Sequence, residues 1–302
     1  MIKNINLIIG LFLIAFLSSG CVKDGLDECP SGRVNLHLYV EKFRNSSVDL
    51  VSNSEENFTD KVNHLRYYLY KDGELINQEL IQNFSKATNP CQTFEFTDLD
   101  YGDYNLVFIA NCTKDALSGD STIADNLVLT FPSCADTEDF FTAVHPFKVT
   151  SNDDTEYEVG LLRTHGIVRY TFNNMPDNIS EIEVIVKNVN SEKWVTGTYK
   201  ETCEASHKYT ITPLGRAETD NSYIIGTFPT PEGEYSTYHL NLYRNNEASP
   251  YLERMITDTM SVVRNQLLDI AVTFESETDL SFEIELNKDW DGSSSGGETG
   301  LE

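Results

Sequence analysis

Val34-Asn35-Leu36-His37-Leu38-Tyr39-Val40 decides the fold class, because its apolar side chains fall on every second residue. That spacing is the two-residue period of a β-strand with one buried and one wet face. Leu65, Tyr67 and Leu69 repeat it, and Lys71-Asp72-Gly73-Glu74 separates them from Leu75-Ile76. An Asp-Gly pair between apolar runs predicts a tight hairpin, since both turn positions need positive φ. Phe94 and Phe96 begin a further strand. Leu99-Asp100-Tyr101-Gly102-Asp103-Tyr104 then turns into Leu106-Val107-Phe108-Ile109, an unbroken apolar run that predicts a strand buried on both faces.

A second set of strands follows the acidic stretch Asn152-Asp153-Asp154-Thr155-Glu156. Val168, Tyr170 and Phe172 alternate with polar residues; so do Ile182, Val184 and Val186, then Tyr238, Leu240 and Leu242, then Leu268, Ile270, Val272 and Phe274, and last Phe282, Ile284 and Leu286 before Trp290. Helical spacing is hard to find anywhere. Many short strands separated by turn residues predict an all-β protein of two β-sandwiches, and 302 residues suffice for two modest cores. The expected divisions are an N-terminal sandwich over 31–158, a C-terminal one over 159–290, and a Gly/Ser tail over 291–302. The aromatic residues Tyr67, Phe94, Phe96, Tyr170 and Phe282 share strand faces with aliphatic ones, which predicts core packing rather than sugar stacking.

The first 21 residues read as a lipoprotein signal. Lys3 supplies positive charge, Ile5 to Phe16 supply an apolar stretch interrupted only by Asn6 and Gly10, and Leu17-Ser18-Ser19-Gly20-Cys21 places a cysteine directly after small residues. The stretch is shorter than the roughly 20 residues that span a bilayer. The order resembles a lipobox, with Ser18 where leucine is usual. It predicts a signal peptide over 1–20, cleavage between Gly20 and Cys21, acylation of Cys21, and a lipidated tether over 21–30 that holds the protein in an outer membrane.

The net charge of −26 becomes 21 − 48 = −27 once the segment bearing Lys3 is removed. Such a surface repels phosphate backbones, and no basic cluster offsets it, so nucleic acid is excluded as a partner. The acidic runs read as solvated surface. Five cysteines follow Cys21, at 29, 91, 112, 134 and 203. In an oxidising compartment Cys29, Cys91, Cys112 and Cys134 are expected to form two bridges, leaving Cys203 as a free, buried thiol. No Cys-x-x-Cys, His-x-x-x-His or His-Glu-x-x-His spacing points to a metal or cofactor. Gly292-Ser293-Ser294-Ser295-Gly296 fits a nucleophile-elbow pattern but sits in a Gly/Ser tail without the strand and helix that motif needs. Asp289-Trp290-Asp291-Gly292 lacks the remaining ligands of a calcium loop. The expectation is a non-enzyme without a cofactor.

Cys21-Val22-Lys23-Asp24-Gly25-Leu26-Asp27-Glu28-Cys29-Pro30, followed at once by the strand Val34–Val40, resembles the mature N-terminus of fimbrillin-associated anchor subunits (FimB-like) of Bacteroides-type donor-strand fimbriae. Leu99-x-x-Gly102-x-Tyr104, Leu162-Arg163 opening the second sandwich, Arg264-Asn265 ahead of residues 267–274, and the strand Phe282 to Trp290 resemble the same family in the same order. The resemblance implies two tandem transthyretin-like β-sandwiches, a structural role at the base of a fimbria with a bearing on its length, pilin subunits as partners through strand-mediated contact, and Lys23, Asp24, Asp27 and Glu28 as a surface-export signal. It implies also that an anchor keeps its first strand, which Arg33 and Arg44 flank, whereas stalk subunits lose theirs by cleavage after an arginine. A stalk or tip subunit and a glycan-binding surface lipoprotein are the competing readings. Asp120-Ser121-Thr122 and Asp258-Thr259-Met260 resemble O-glycosylation acceptors of such bacteria, with Ser121 and Thr259 as acceptors between strands.

Overall fold

The computed structural model describes residues 31–41, 58–82, 84, 91–112, 116–131, 140–211, 222–245 and 247–287. Strands dominate them: β1 (Ser31–Val40), β2 (Leu65–Lys71), β3 (Glu74–Ile81), β4 (Cys91–Asp100), β5 (Gly102–Ala110), β6 (Leu117–Ser118), β7 (Val128–Thr130), β8 (Phe141–Val149) and β9 (Asp154–Arg163) come first. β10 (Gly166–Asn173), β11 (Ile179–Trp194), β12 (Tyr199–Thr210), β13 (Ser222–Thr227), β14 (Ser236–Arg244), β15 (Leu252–Met260), β16 (Leu267–Phe274) and β17 (Leu280–Asn287) complete the order. Among the described residues helix takes the form of a single turn at Phe58–Lys61 and a 3-10 turn at Ala124–Asn126.

β3-β2-β5-β8-β9-β1-β4 form one antiparallel-dominated sheet that folds over at β8–β9, where only Phe141↔Arg163 and Thr142↔Leu162 pair. The two layers enclose a core in which Leu36, Leu38, Leu106, Phe108 and Leu161 are fully buried. Burying side chains of this size contributes about 1.5–3 kcal/mol each, which fixes the register: a one-residue slip of β1 would turn Leu36 and Leu38 to solvent. The second core lies between β13-β10-β16-β17 and a sheet containing β15-β14-β11 with β12 on the flank of β11. Val184, Val186, Leu240, Leu242 and Val272 are fully buried in it. Both cores are organised around a parallel pair, β1 with β9 and β10 with β16, and the leading strand of each pair is antiparallel to a third, β4 and β13.

The hairpin at Asp72-Gly73 forms with φ of 51° and 89°, the left-handed conformation expected of the two-residue turn. β5 is buried on both faces: Leu106 and Phe108 enter the first core, while Val107 and Ile109 enter a third cluster with Leu129, Phe140, Val195 and Phe228. That third cluster draws on both halves of the chain, and β7 pairs with the end of β11 through Glu192↔Thr130 and Trp194↔Val128. The halves are therefore joined by a buried apolar layer and a ladder.

Three expectations change. The anticipated divide between 158 and 159 falls inside β9, which pairs with β1 from Arg33↔Asp154 to Val40↔Leu161. The chain passes between layers at Thr164-His165 instead, where Thr164 Oγ1 donates to Phe140 O at 3.1 Å. Arg33 lies within β1 rather than beside it, with its guanidinium 3.2 Å from Glu95. The expected disulfides are absent among the described residues: Cys91 opens edge strand β4 opposite Tyr39, whereas Cys112 is buried in the third cluster, so the two do not meet. Cys29 and Cys134 lie outside the described residues. Cys203 carries a free thiol, but on the exposed strand β12 rather than in a core.

Candidate functional site

β3 and β4 are the two free edges of the first sheet. Among the described residues each pairs along one side only, so each presents a row of backbone N–H and C=O groups to which a strand can be added. β3 is the more exposed of the two because it follows a tight turn away from the core, leaving Ile76 at 49% and Leu80 at 37% exposure. In β4 a bulge sets Thr97 and Asp98 against Arg33 alone, with Asp98 at φ 58°, and the pairing with β1 resumes at Leu99.

The two edges face one another across a groove of about 410 Å³. Tyr67, Leu69, Phe94, Phe96 and Leu99 supply apolar lining from the core side, and Ile76, Asn77, Glu79 and Glu95 stand on the strands that flank it. Tyr67 stacks edge-on against Phe96 at 5.5 Å, donates its hydroxyl to Glu79 Oε2 at 3.2 Å and accepts from Asn77 Nδ2 at 3.3 Å. Burial, reinforced by the Glu79 carboxylate, holds that phenol above its ordinary value, so it stays neutral and donating. Open ladder edges over an apolar floor suit an extended chain that supplies backbone pairs and alternate apolar side chains.

Of the residues expected to be functional, Gly20, Cys21, Lys23, Asp24, Asp27, Glu28 and Arg44 lie outside the described residues. Ser121 is half-buried on the turn after Asp120, whose carboxylate accepts from Thr122 N at 3.0 Å and Oγ1 at 2.7 Å; Tyr70 donates to Ser121 O at 2.9 Å. Thr259 is exposed, but it sits within edge strand β15 rather than between strands. Burial pushes the Cys112 thiol up to about 12, which keeps it protonated and poorly nucleophilic. The groove itself is absent from the sequence reading: Leu75-Ile76 was legible as a strand, but nothing in its spacing shows that β3 and β4 end up on the same flank.

A family model described as "Fimbrillin-A associated anchor proteins Mfa1 and Mfa2" matches residues 26–293. No curated protein sequence is significantly similar. The fold is similar to that of the fimbrial anchor protein Mfa2 from Porphyromonas gingivalis, with a TM-score of 0.52 and 14% identity over 86% of this chain and 98% of that one. It is similar also to the tip fimbrial protein Mfa3 from Porphyromonas gingivalis, with a TM-score of 0.53 and 10% identity over 86% of this chain and 100% of that one. Identities this low establish the fold alone, and anchor and tip proteins match it equally well. With the family model spanning most of its length, the chain belongs to the fimbrillin-A associated anchor proteins, a family of cell-surface, fimbria-associated structural proteins rather than enzymes.

Proposed function

We propose that this protein is the lipid-anchored base subunit of a fimbria. In this reading the precursor is cut after Gly20, acylated at Cys21, carried to the outer face by the segment containing Lys23, Asp24, Asp27 and Glu28, and left holding a pilin subunit through two tandem transthyretin-like sandwiches. The observation that carries it is the family match over residues 26–293, which begins just past the lipobox cysteine. The matched order of pairings around β1 and β10 supports two tandem units.

Anchoring needs more than one acyl chain: each buried methylene contributes about 0.8 kcal/mol, and a single chain binds only marginally, so a di- or triacylated Cys21 meets the requirement. Pilin contact is assigned to the groove between β3 and β4, where open ladder edges flank apolar residues. Retention of the first strand is supported by its position. β1 lies between β9 and β4 with Val34 at 2% exposure and Leu36 and Leu38 at 0%, and cleavage after Arg44 would remove it from the middle of its sheet. Ending the fimbria on a subunit that keeps its own strand also bears on fimbrial length.

The test is mass spectrometry of the protein purified from outer membranes, together with the subunits that accompany it. The reading requires an acylated N-terminal peptide beginning at Cys21 and co-purifying pilin. A chain beginning after Arg44 would make it a stalk subunit, and carbohydrate-uptake proteins as the sole companions would make it a glycan-binding lipoprotein.

A further inference from the structure

The two layers of the second core end together on one flank, at β15 and β17. The turn joining β16 to β17 holds them there: Arg254 Nη2 donates to Thr278 O at 3.1 Å, the Tyr251 hydroxyl donates to Glu277 O at 3.3 Å, and Arg244 pairs with the Glu277 carboxylate at 2.9 Å. Cover is incomplete along this flank. Leu280, Phe282 and Ile284 of β17 and Ile256 and Met260 of β15 pack against the core without being enclosed by it, and Leu286 is 36% exposed. A strand added beside β17 would take these side chains out of water.

Of the described edges, β17 has the least to interrupt such a strand. β3 and β4 each carry a register shift, β15 carries two, β12 has Glu201 at φ 56°, and in β13 the Ile224 carbonyl accepts from the Tyr209 hydroxyl. The free stretch of β8 beyond Thr142 is broken by Pro146, which has no N–H to give. β17 reads Leu280-Ser281-Phe282-Glu283-Ile284-Glu285-Leu286-Asn287 and pairs with β16 without a shift from Phe274↔Leu280 to Leu267↔Asn287. Bulges, prolines and lysines blunt such edges in other sheets, and this strand has none of them. Glu275 N donates to Asp279 O at 3.0 Å, so the alternation of an antiparallel ladder turns the odd residues of β17 towards β16 and leaves the N–H and C=O of Leu280, Phe282, Ile284 and Leu286 open.

The outer side of β17 selects the partner. Glu283 and Glu285 are exposed there and form no ion pair with a described residue. Across the ladder Glu285 faces Asp269, whose carboxylate is already held by Arg169, with Nη2 2.8 Å from Oδ2. A neighbouring strand sets its own outward side chains directly beside Glu283 and Glu285, so basic residues are favoured there and acidic ones repelled. A second copy of this chain meeting edge to edge would bring carboxylates against carboxylates, which disfavours a symmetric dimer. We propose that β17 is a docking edge for an extended segment of another protein in which apolar residues alternate with lysine or arginine, the apolar ones covering Phe282, Ile284 and Leu286 and the basic ones pairing with Glu283 and Glu285. The site lies on the second core, apart from the groove between β3 and β4, and does not rest on the anchor reading.

Fluorescence anisotropy of the detergent-solubilised full-length protein tests it, with a labelled peptide of about ten residues, alternating valine and lysine, as probe. One control alternates valine and glutamate; the other is the valine–lysine peptide N-methylated along its backbone, which keeps the charge and removes the donors a ladder needs. The probe is expected to bind at least about tenfold more tightly than either control, the factor that a charge-assisted hydrogen bond supplies. Glu283→Gln combined with Glu285→Gln changes exposed side chains and leaves folding intact; it should weaken the probe at least about fivefold and leave the valine–glutamate peptide no weaker. Ile284→Pro removes a backbone donor that β16 does not use and should abolish binding, with circular dichroism confirming the fold. Equal affinity for the probe and its N-methylated form, an unchanged affinity in the glutamine variant, no binding of the probe at millimolar concentration, or binding only after residues 288–302 are removed, which would put the chain's own tail on the edge, would each overturn the proposal.

Discussion

Replacing Lys193 by methionine should change how the stability of this protein depends on pH, in a direction set by the site. In the folded protein the ammonium is lowered to about 8 from 10.5, by burial first and by Arg264 second. Between those two values the unfolded chain binds more protons at this position than the folded one, so stability rises with pH through the window. Below about pH 8 the buried charge exacts its full cost. At about 1.4 kcal/mol per pH unit the displacement amounts to about 3 kcal/mol, most of which is recovered between pH 7 and pH 10. Methionine carries no charge and shows none of this dependence. Tyr199, whose phenol is raised far above its ordinary value by burial, stands beside both side chains and cancels in the comparison. For units of this size a change of that order corresponds to roughly 5–10 °C in melting temperature. The melting temperature of Lys193→Met minus that of the parent, followed by circular dichroism, should therefore fall by about that amount from pH 7 to pH 10. Parallel profiles across the range would refute the assignment of Lys193 as a buried cation.

Leu38→Ala removes a fully buried side chain from the centre of β1 and should cost about 2–5 kcal/mol, read as a lower urea midpoint of the first core. Ile76→Lys alters an exposed position on the rim of the β3–β4 groove, so it should leave the melting temperature nearly unchanged, within about 0.5 kcal/mol, yet reduce the pilin that co-purifies. If Ser121 and Thr259 carry glycans, the intact mass will exceed that of the acylated polypeptide, and Ser121→Ala with Thr259→Ala will remove the excess; a mass equal to the acylated polypeptide contradicts the assignment.

Much of the fold was legible because it rests on period-two burial. Val34, Leu36, Leu38 and Val40 alternate in the structure as they do in the sequence, and the unbroken run Leu106 to Ile109 is buried on both faces. What was illegible depends on breaks in that period. In β11 the even positions Ile182, Val184 and Val186 are buried, but Asn188 takes φ 61° and a bulge between Lys187 and Val189 shifts the parity, so that Val189, Lys193 and Val195 turn inward. Extending the earlier alternation would have left Lys193 in solvent. The acidic run at 152–156 read as solvated surface ahead of the second set of strands, yet Asp154 to Glu156 also pair with β1, because a polar residue can serve a ladder as well as an apolar one. The cysteines misled for a related reason: an even count ahead of the expected divide says nothing of separation, and Cys91 and Cys112 belong to different layers.

Retention of fimbriae in cells carrying Cys21→Ala tests the anchor role most directly. The substitution removes the acylation site, while the cores and the pilin groove are built from described strands of which the first starts at Ser31, so both should survive. With export and folding of the variant protein confirmed, the account predicts that fimbriae still assemble but are shed into the medium. Fimbriae held on the cells at wild-type levels by a soluble, folded variant would contradict it.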